Sequence, residues 1–225
     1  MKKSIILWCF ATILVLELIF LSDPDLTSFR VITKPLLVSL LLFYFLLHKT
    51  EPKTKLFISL ALVFSLLGDI LLLFTDRSQN YFMFGLVAFL LAHIFYILQF
   101  SRERNKNLNT VKSLIPLLIF GGLFFYFLKD KFGTMLLPVS VYMGIILIMA
   151  LFAFLRKGNV PKKSFELLFI GALLFLISDA TLAIDKFHSS IPKSGILIMA
   201  TYGLAQLCIV LGILKEEKTN ISQVP

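Results

Sequence analysis

The order of hydrophobic and polar positions divides the chain into eight apolar blocks separated by short polar segments. The blocks cover residues 4–21, 31–47, 56–74, 81–100, 113–128, 134–155, 165–184 and 195–214. Most of them reach the roughly 17 residues that a helix needs to cross a bilayer. They show no strand-like alternation of polar and apolar residues, which argues against a β-barrel. The pattern predicts an all-α fold, a polytopic integral membrane bundle of eight transmembrane helices, with residues 1–225 forming one domain.

Composition agrees with lipid as the main solvent of the chain. Hydrophobic residues make up 58% of the sequence and the mean hydropathy is +0.92, whereas a soluble domain is usually about half apolar. Cys9 and Cys208 both lie inside apolar blocks, where a thiol behaves as a small hydrophobe, so we expect no disulfide. No Cys and His residues stand at metal-binding spacing, and the sequence predicts neither a metal nor a cofactor.

The formal charge of +9 has an explanation that does not involve nucleic acid. Of the 22 Lys and Arg residues, fifteen lie at the amino-terminal end and in alternate loops, and seven lie on the other side. Because positive loops stay in the cytoplasm, this bias predicts a multi-pass protein of the cell (inner) membrane with both termini cytoplasmic. The first block ends in "FLSDPD" without a small-residue cleavage pattern, so it is interpreted as a retained helix rather than a signal peptide.

Two pairs of blocks resemble each other. The third block contains "LGDILL" and the seventh "ISDATL", while the fourth contains "FLLAH" and the eighth "YGLAQ". The order hints at a duplicated four-helix unit with both copies in the same orientation. Chance similarity between apolar helices remains the alternative.

Several ionisable side chains interrupt the apolar blocks at one depth. Asp69 and Asp179 each lie five residues before the outer end of their block, and Glu17 lies four residues before the end of the first. Lys34 stands just above this layer, at the start of the second block. A charge at membrane depth costs about 2.5–3.5 kcal/mol on insertion scales, so such residues are commonly functional. Together they predict a polar cavity that opens toward the outer leaflet.

Less strongly polar side chains lie deeper. His93 stands twelve residues into the fourth block, and Tyr96 shares its helix face. Tyr202 and Gln206 are one helical turn apart in the eighth block. Each of these groups also has a purely structural interpretation, as a hydrogen bond between helices. For the two aspartates, the structural alternative is a hydrogen bond or an ion pair with Lys34.

Five segments carry a resemblance to a known family. They are "KPLL" at 34–37, "SLLGDILLL" at 65–73, "FGLVAFLLAHIFYI" at 84–97, "SDATLAIDKF" at 178–187 and "TYGLAQLCI" at 201–209. In this order and spacing they resemble the YhhN family of eight-helix membrane proteins, which includes the lysoplasmalogenases. The resemblance places the family's polar positions on Lys34, Asp69, His93, Asp179, Tyr202 and Gln206. Gly203 departs from it, since a larger residue is expected after the tyrosine, and this affects the expected chain-length preference.

The resemblance implies hydrolysis of the vinyl ether bond of lysoplasmalogens, which are lysophospholipids of the membrane, to a fatty aldehyde and a glycerophospho-base. This reaction begins with protonation of a carbon and passes through an oxocarbenium ion, so a carboxyl pair suits it as it suits glycosidases. We expect Asp69 and Asp179 to form the catalytic pair, one protonated and one ionised. His93 is expected to orient or activate water.

The remaining polar residues are assigned to substrate binding. Lys34 is expected to hold the phosphate, and Tyr96, Tyr202 and Gln206 to orient the glycerol and the water. Three alternatives stay open at this point. The chain could be a proton-coupled transporter of small molecules or lipids, a metal-dependent lipid hydrolase, or a membrane protein whose acids only stabilise the bundle.

Overall fold

The computed structural model describes the backbone of residues 2–222 and the side chains of residues 3–216. Within this part of the chain, eight α-helices and no strand are found: α1 (Lys2–Ser22), α2 (Arg30–Leu46), α3 (Pro52–Leu72), α4 (Gln79–Arg102), α5 (Thr110–Leu128), α6 (Leu136–Phe154), α7 (Lys162–Phe187) and α8 (Ser194–Ser222). All eight are long and apolar enough to cross a membrane. The predicted all-α fold with eight membrane-spanning helices is confirmed.

Helix ends follow local capping chemistry and extend past the apolar blocks. The Ser78 hydroxyl accepts a hydrogen bond from the Asn80 amide at the start of α4, and Asn109 caps α5 through the Lys112 amide. Side-chain oxygens at this position satisfy amides that have no partner inside the helix. Helix α7 starts three residues before the predicted block and ends three residues after it, and α8 continues eight residues further, to Ser222.

Helix contacts follow a closed circuit that leaves one helix outside. Successive contacts run from α1 to α2, α3, α4, α6, α7 and α8, and α8 returns to α1 and α2. Helix α5 packs mainly on α6, and among its residues only Gly121 and Leu128 are buried. We call the end with the α1–α2, α3–α4, α5–α6 and α7–α8 connections the distal end, and the end where α1 begins the proximal end.

The closest packing joins α3 to α4 and α7 to α8. A Cβ atom added at Gly68 would lie 2.6 Å from the Phe89 ring, and one added at Gly171 would lie 2.9 Å from the Ala205 carbonyl oxygen. Small residues allow such approach between membrane helices, where packing rather than water drives association. These two helix pairs are the ones that the sequence similarity relates, and the duplication itself stays a prediction.

A buried ion pair lies at the proximal end, where the sequence analysis expected loop cations. Arg156 is fully buried, pairs with Glu216 of α8, and lies 5.8 Å from the centre of the Phe100 ring. Arg156 lies in the loop after α6, among the cations counted for this side, and it is buried rather than solvated. The pair joins the end of α6 to α8, so it fixes the proximal end of the circuit.

We predict that Gly171→Ala destabilises the protein by roughly 1–3 kcal/mol, as overpacking does in dense interiors. The new methyl group would press on backbone atoms of α8, at Ala205 and Ile209, and these cannot move aside as a side-chain end can. Gly144→Ala in α6 is the matched control, because nothing lies within 4 Å of its added Cβ. Thermal unfolding in detergent measures both, and equal unfolding temperatures would contradict the prediction.

Candidate functional site

A cavity lies in the distal half of the bundle, between α2, α3, α4, α6, α7 and α8, and we call it the central cavity. Its volume is about 60 Å³, enough for a few water molecules. Six ionisable or hydroxyl-bearing side chains line it, namely Lys34, Asp69, Tyr142, Ser178, Asp179 and Tyr202. Most of the remaining wall is aliphatic or aromatic, including Leu86, Phe89, Leu182 and Met199. The two aspartates that the sequence singled out therefore face one space.

Asp69 is held by a cation and a phenol from two other helices. The Lys34 ammonium nitrogen lies 3.7 Å from Asp69 Oδ1, and the Tyr202 hydroxyl donates a 2.6 Å hydrogen bond to Asp69 Oδ2. Asp69 is 1% exposed and Lys34 7% exposed. Lys34 is therefore paired inside the bundle and does not extend to the interface. Each oxygen of the Asp69 carboxyl group thus has a partner from another helix.

A chain of hydrogen bonds continues behind Tyr202. Gln206 Nε2 donates to the Tyr202 hydroxyl oxygen at 3.4 Å, and the Tyr96 hydroxyl donates to Gln206 Oε1 at 2.5 Å. Gln206 and Tyr96 are buried and are not part of the cavity wall. Because the Gln206 amide donates to the Tyr202 oxygen, the Tyr202 hydroxyl proton is left to be donated to Asp69.

Asp179 has a different set of partners. The Tyr142 hydroxyl of α6 donates to Asp179 Oδ2, and among the described residues no cation pairs with this carboxyl group. The neighbouring Ser178 hydroxyl donates to the Ile198 carbonyl oxygen at 3.1 Å, which ties this turn of α7 to α8. Asp179 and Asp69 interact electrostatically across the cavity. The two carboxyl groups thus differ in their partners.

His93 lies behind the cavity wall. It is fully buried, and its ring centre is 4.6 Å from that of Phe175 and 5.4 Å from that of Tyr142, both edge-on. Neither ring nitrogen has a hydrogen-bond partner in the described part of the chain. The histidine therefore meets the cavity through the Tyr142 ring and does not line it.

A second polar cluster joins α1 to α2 beside this site. Glu17 is fully buried, accepts a 2.9 Å bond from Arg30 Nε, and accepts another from the Thr33 hydroxyl. Glu17 is therefore paired with Arg30, and, contrary to its expected place in the polar cavity, it is absent from the wall of the central cavity.

Two further cavities adjoin the central one. A larger cavity of about 310 Å³, which we call the vestibule, lies at the distal end and shares Lys34, Leu72, Phe82, Leu182, Ile198 and Met199 with it. Arg30, Asp185 and Lys186 give the vestibule its charged wall. A smaller one of about 40 Å³, the side pocket, lies between α5, α6 and α7 and shares Val139, Tyr142, Asp179 and Ala183. The central cavity thus lies between the vestibule and the side pocket and shares lining residues with both.

The structure brings together most of the residues that the sequence analysis selected, with one addition. Tyr142 was missed, although its signal was a hydroxyl-bearing aromatic residue inside an apolar block. Gly203 packs against Leu14 of α1, at 2.8 Å from an added Cβ, and does not line the cavity. In the described part of the chain, no three His, Cys, Asp or Glu side chains converge to hold a metal ion.

Eight apolar helices, six of which line a cavity with ionisable side chains, define a multi-pass membrane protein with an intramembrane site. The chain belongs to the YhhN family, whose sequence model matches residues 29–213. Residues of all six helices that line the central cavity fall within this match.

Curated relatives share most of this length. The Bos taurus protein named lysoplasmalogenase TMEM86A is 34% identical over 173 residues, covering 75% of this chain and 69% of the relative. The Homo sapiens lysoplasmalogenase TMEM86A is 33% identical over 168 residues, covering 73% and 67%. The Homo sapiens lysoplasmalogenase TMEM86B is 34% identical over 156 residues, covering 69% and 62%. No solved structure matches the chain.

We predict that Lys34→Met destabilises the protein by roughly 3 kcal/mol, because it leaves the Asp69 carboxylate buried without its cation. Adding Asp69→Asn to this variant should recover about half of the loss, since coupled partners are not additive. Lys129→Met, which removes an exposed lysine at the distal end, is the control. Thermal unfolding of the unchanged protein, of Lys34→Met and Asp69→Asn as single variants, and of the double variant gives the cycle. Strictly additive losses would show that the pair is not coupled.

Proposed function

We propose that this chain is a lysoplasmalogenase, a hydrolase of the vinyl ether bond of lysoplasmalogens that releases a fatty aldehyde and a glycerophospho-base. Membership of the YhhN family and the curated names of the relatives support the activity. The observation that carries the mechanism is the pair of carboxyl groups, with unequal partners, that face one cavity inside a lipid-embedded bundle.

The reaction needs a proton donor and an anion at fixed positions. Protonation of the vinyl carbon remote from oxygen creates a cation shared between the adjacent carbon and the ether oxygen. A nearby carboxylate stabilises that charge best in an apolar site, where electrostatic interactions are weakly screened. The aliphatic and aromatic wall of the central cavity provides such surroundings.

The partners of the two aspartates suggest how the roles divide. Asp69 lies beside the Lys34 ammonium group, which favours the carboxylate form. Asp179 has a phenol but no paired cation in the described chain, so holding a proton there avoids an uncompensated charge. We therefore assign Asp179 as the proton donor and Asp69 as the stabilising carboxylate.

These roles close a balanced cycle. Asp179 gives its proton to the vinyl carbon, and water then adds to the oxocarbenium carbon while Asp69 takes the proton of that water. The hemiacetal collapses when Asp69 returns a proton to the glycerol oxygen and the ionised Asp179 takes the proton of the hemiacetal hydroxyl. The aldehyde and the glycerophospho-base leave, and both aspartates regain their starting states. A carboxyl group that acts first as an acid and then as a base is also found in retaining glycosidases.

The other selected residues act around this pair. Tyr202 fixes Asp69, and Gln206 and Tyr96 support Tyr202 from behind the cavity wall. Tyr142 fixes Asp179, and His93 packs against the Tyr142 ring as a positioning residue. We therefore assign Tyr96, Gln206 and His93 supporting roles. These roles replace the expected contact of Tyr96 and Gln206 with the glycerol and the expected activation of water by His93.

The positions of the charges suggest how the lipid lies. The vestibule presents Arg30 and Lys186 next to Lys34, so the phosphate of the headgroup is best placed there, with the vinyl ether in the central cavity. The lysine and arginine bias of the loops favours cytoplasmic termini. With that orientation the vestibule opens at the outer side of the cell membrane.

The test offers the purified protein, in detergent, matched lysophospholipids with vinyl ether, alkyl ether and ester linkages. We expect free aldehyde from the vinyl ether lipid alone, because only that linkage forms an oxocarbenium ion by carbon protonation. Mass spectrometry of both products names the bond cut. Detergent removes any gradient, so turnover there also separates hydrolysis from proton-coupled transport. Absence of aldehyde from folded protein would overturn the proposal.

Asp69→Asn and Asp179→Asn should each lower turnover by about 100-fold or more, the usual scale of acid–base catalysis. Asp130→Asn, an exposed carboxyl at the distal end, is the control that keeps activity.

The division of roles predicts different pH behaviour for the two variants. In Asp179→Asn the hydronium ion must replace the missing proton donor. The residual rate should therefore rise about tenfold for each unit by which the pH falls. A tenfold change in rate corresponds to about 1.36 kcal/mol of barrier. Asp69→Asn keeps its donor and should show a shallower dependence. Rates are corrected for hydrolysis without protein. The reverse pattern would assign the donor to Asp69.

A further inference from the structure

We propose that the side pocket between α5, α6 and α7 is the binding site for the fatty chain of the substrate, and that Ala180 determines which chain lengths fit. This inference rests on the proposed function for the identity of the ligand. Ala180 directly follows Asp179 on α7.

The side pocket adjoins the proposed reaction site. The side pocket and the central cavity share Val139, Tyr142, Asp179 and Ala183, so the two spaces meet at these side chains. At this junction stand Tyr142 and Asp179, which are the only polar residues that line the side pocket within the described chain. Beyond them the pocket is apolar and suits a hydrocarbon chain.

The chemistry of the vinyl ether determines which end of the substrate faces the proposed proton donor. A vinyl ether takes its proton on the carbon that continues into the hydrocarbon chain, whereas its oxygen leads to glycerol and phosphate. Asp179, the proposed donor, lines both the central cavity and the side pocket. Lys34, the partner of Asp69, lines both the central cavity and the vestibule. The proton donor therefore lies on the side where the chain would enter, and the cation lies on the side of the headgroup.

Small side chains on α7 leave the space of the side pocket open. Ala180 and Ala183 stand three residues apart on α7, so they share a face and leave a gap where larger side chains would fill it. The opposite wall includes Phe120 and Phe124 of α5, whose rings stack with centres 6.1 Å apart. Phe120 is 42% exposed on the lipid-facing side. A chain longer than the pocket can thus continue past this wall into lipid.

Ala180→Phe tests the assignment by filling the pocket. The probes are non-hydrolysable alkyl ether lysophosphocholines with short and long chains, which bind without turnover. We expect the dissociation constant of the long-chain probe to rise about tenfold or more, while the short-chain probe changes less than about threefold, the scale on which apolar pockets discriminate chains. The same selective loss should appear in kcat/KM for vinyl ether substrates of matched chain length.

Two further variants keep the test decisive. Ile177→Phe adds a comparable ring one turn earlier on α7 at a lipid-facing position that is 47% exposed, and it should leave both probes unchanged. Phe124→Ala enlarges the pocket and should shift the preference toward longer chains. Equal effects of Ala180→Phe on short and long probes, or no effect on either, would overturn the inference. Selective binding without any aldehyde release would instead support the pocket while refuting the proposed hydrolysis.

Discussion

The cost of placing a carboxylate in an apolar bundle is the constraint from which the rest of this structure follows. An ionised group at membrane depth is stable only with a partner close by. Asp69 meets this condition through Lys34 of α2 and Tyr202 of α8, so three helices must converge at one depth. Because the Tyr202 phenol is itself held by Gln206 and Tyr96, the requirement extends through the middle of the bundle as a line of polar contacts surrounded by apolar packing.

Asp69 and Asp179 are chemically different because different side chains pair with them. Asp69 has an ammonium ion and a phenol, whereas Asp179 has the Tyr142 phenol and no paired cation in the described chain. In the proposed mechanism, two carboxyl groups in different protonation states stand next to an oxocarbenium ion, as they do in glycosidases.

The three adjoining spaces differ in polarity along the bundle. Charged residues line the vestibule, Asp69 and Asp179 line the central cavity, and the side pocket is mostly alkyl and aromatic. Helix α5, which packs mainly on α6, lines only the side pocket among the three. This order of polarity fits the proposed lysophospholipid substrate, whose headgroup is charged and whose single chain is apolar.

The sequence by itself determined the helix count, the depth of Asp69 and Asp179, and the polar residues worth testing, because length and hydropathy alone decide whether a helix crosses a membrane. Depth along a helix can be counted from the sequence, but the partner across the bundle cannot. Only the tertiary structure decided that Lys34 pairs with Asp69, that Tyr142 pairs with Asp179, and that His93 lies behind the wall. It also placed Gly203 against α1 and buried Arg156 beside α8. These facts depend on how each helix is rotated and which helix it meets, and those are set by packing between residues far apart in the chain.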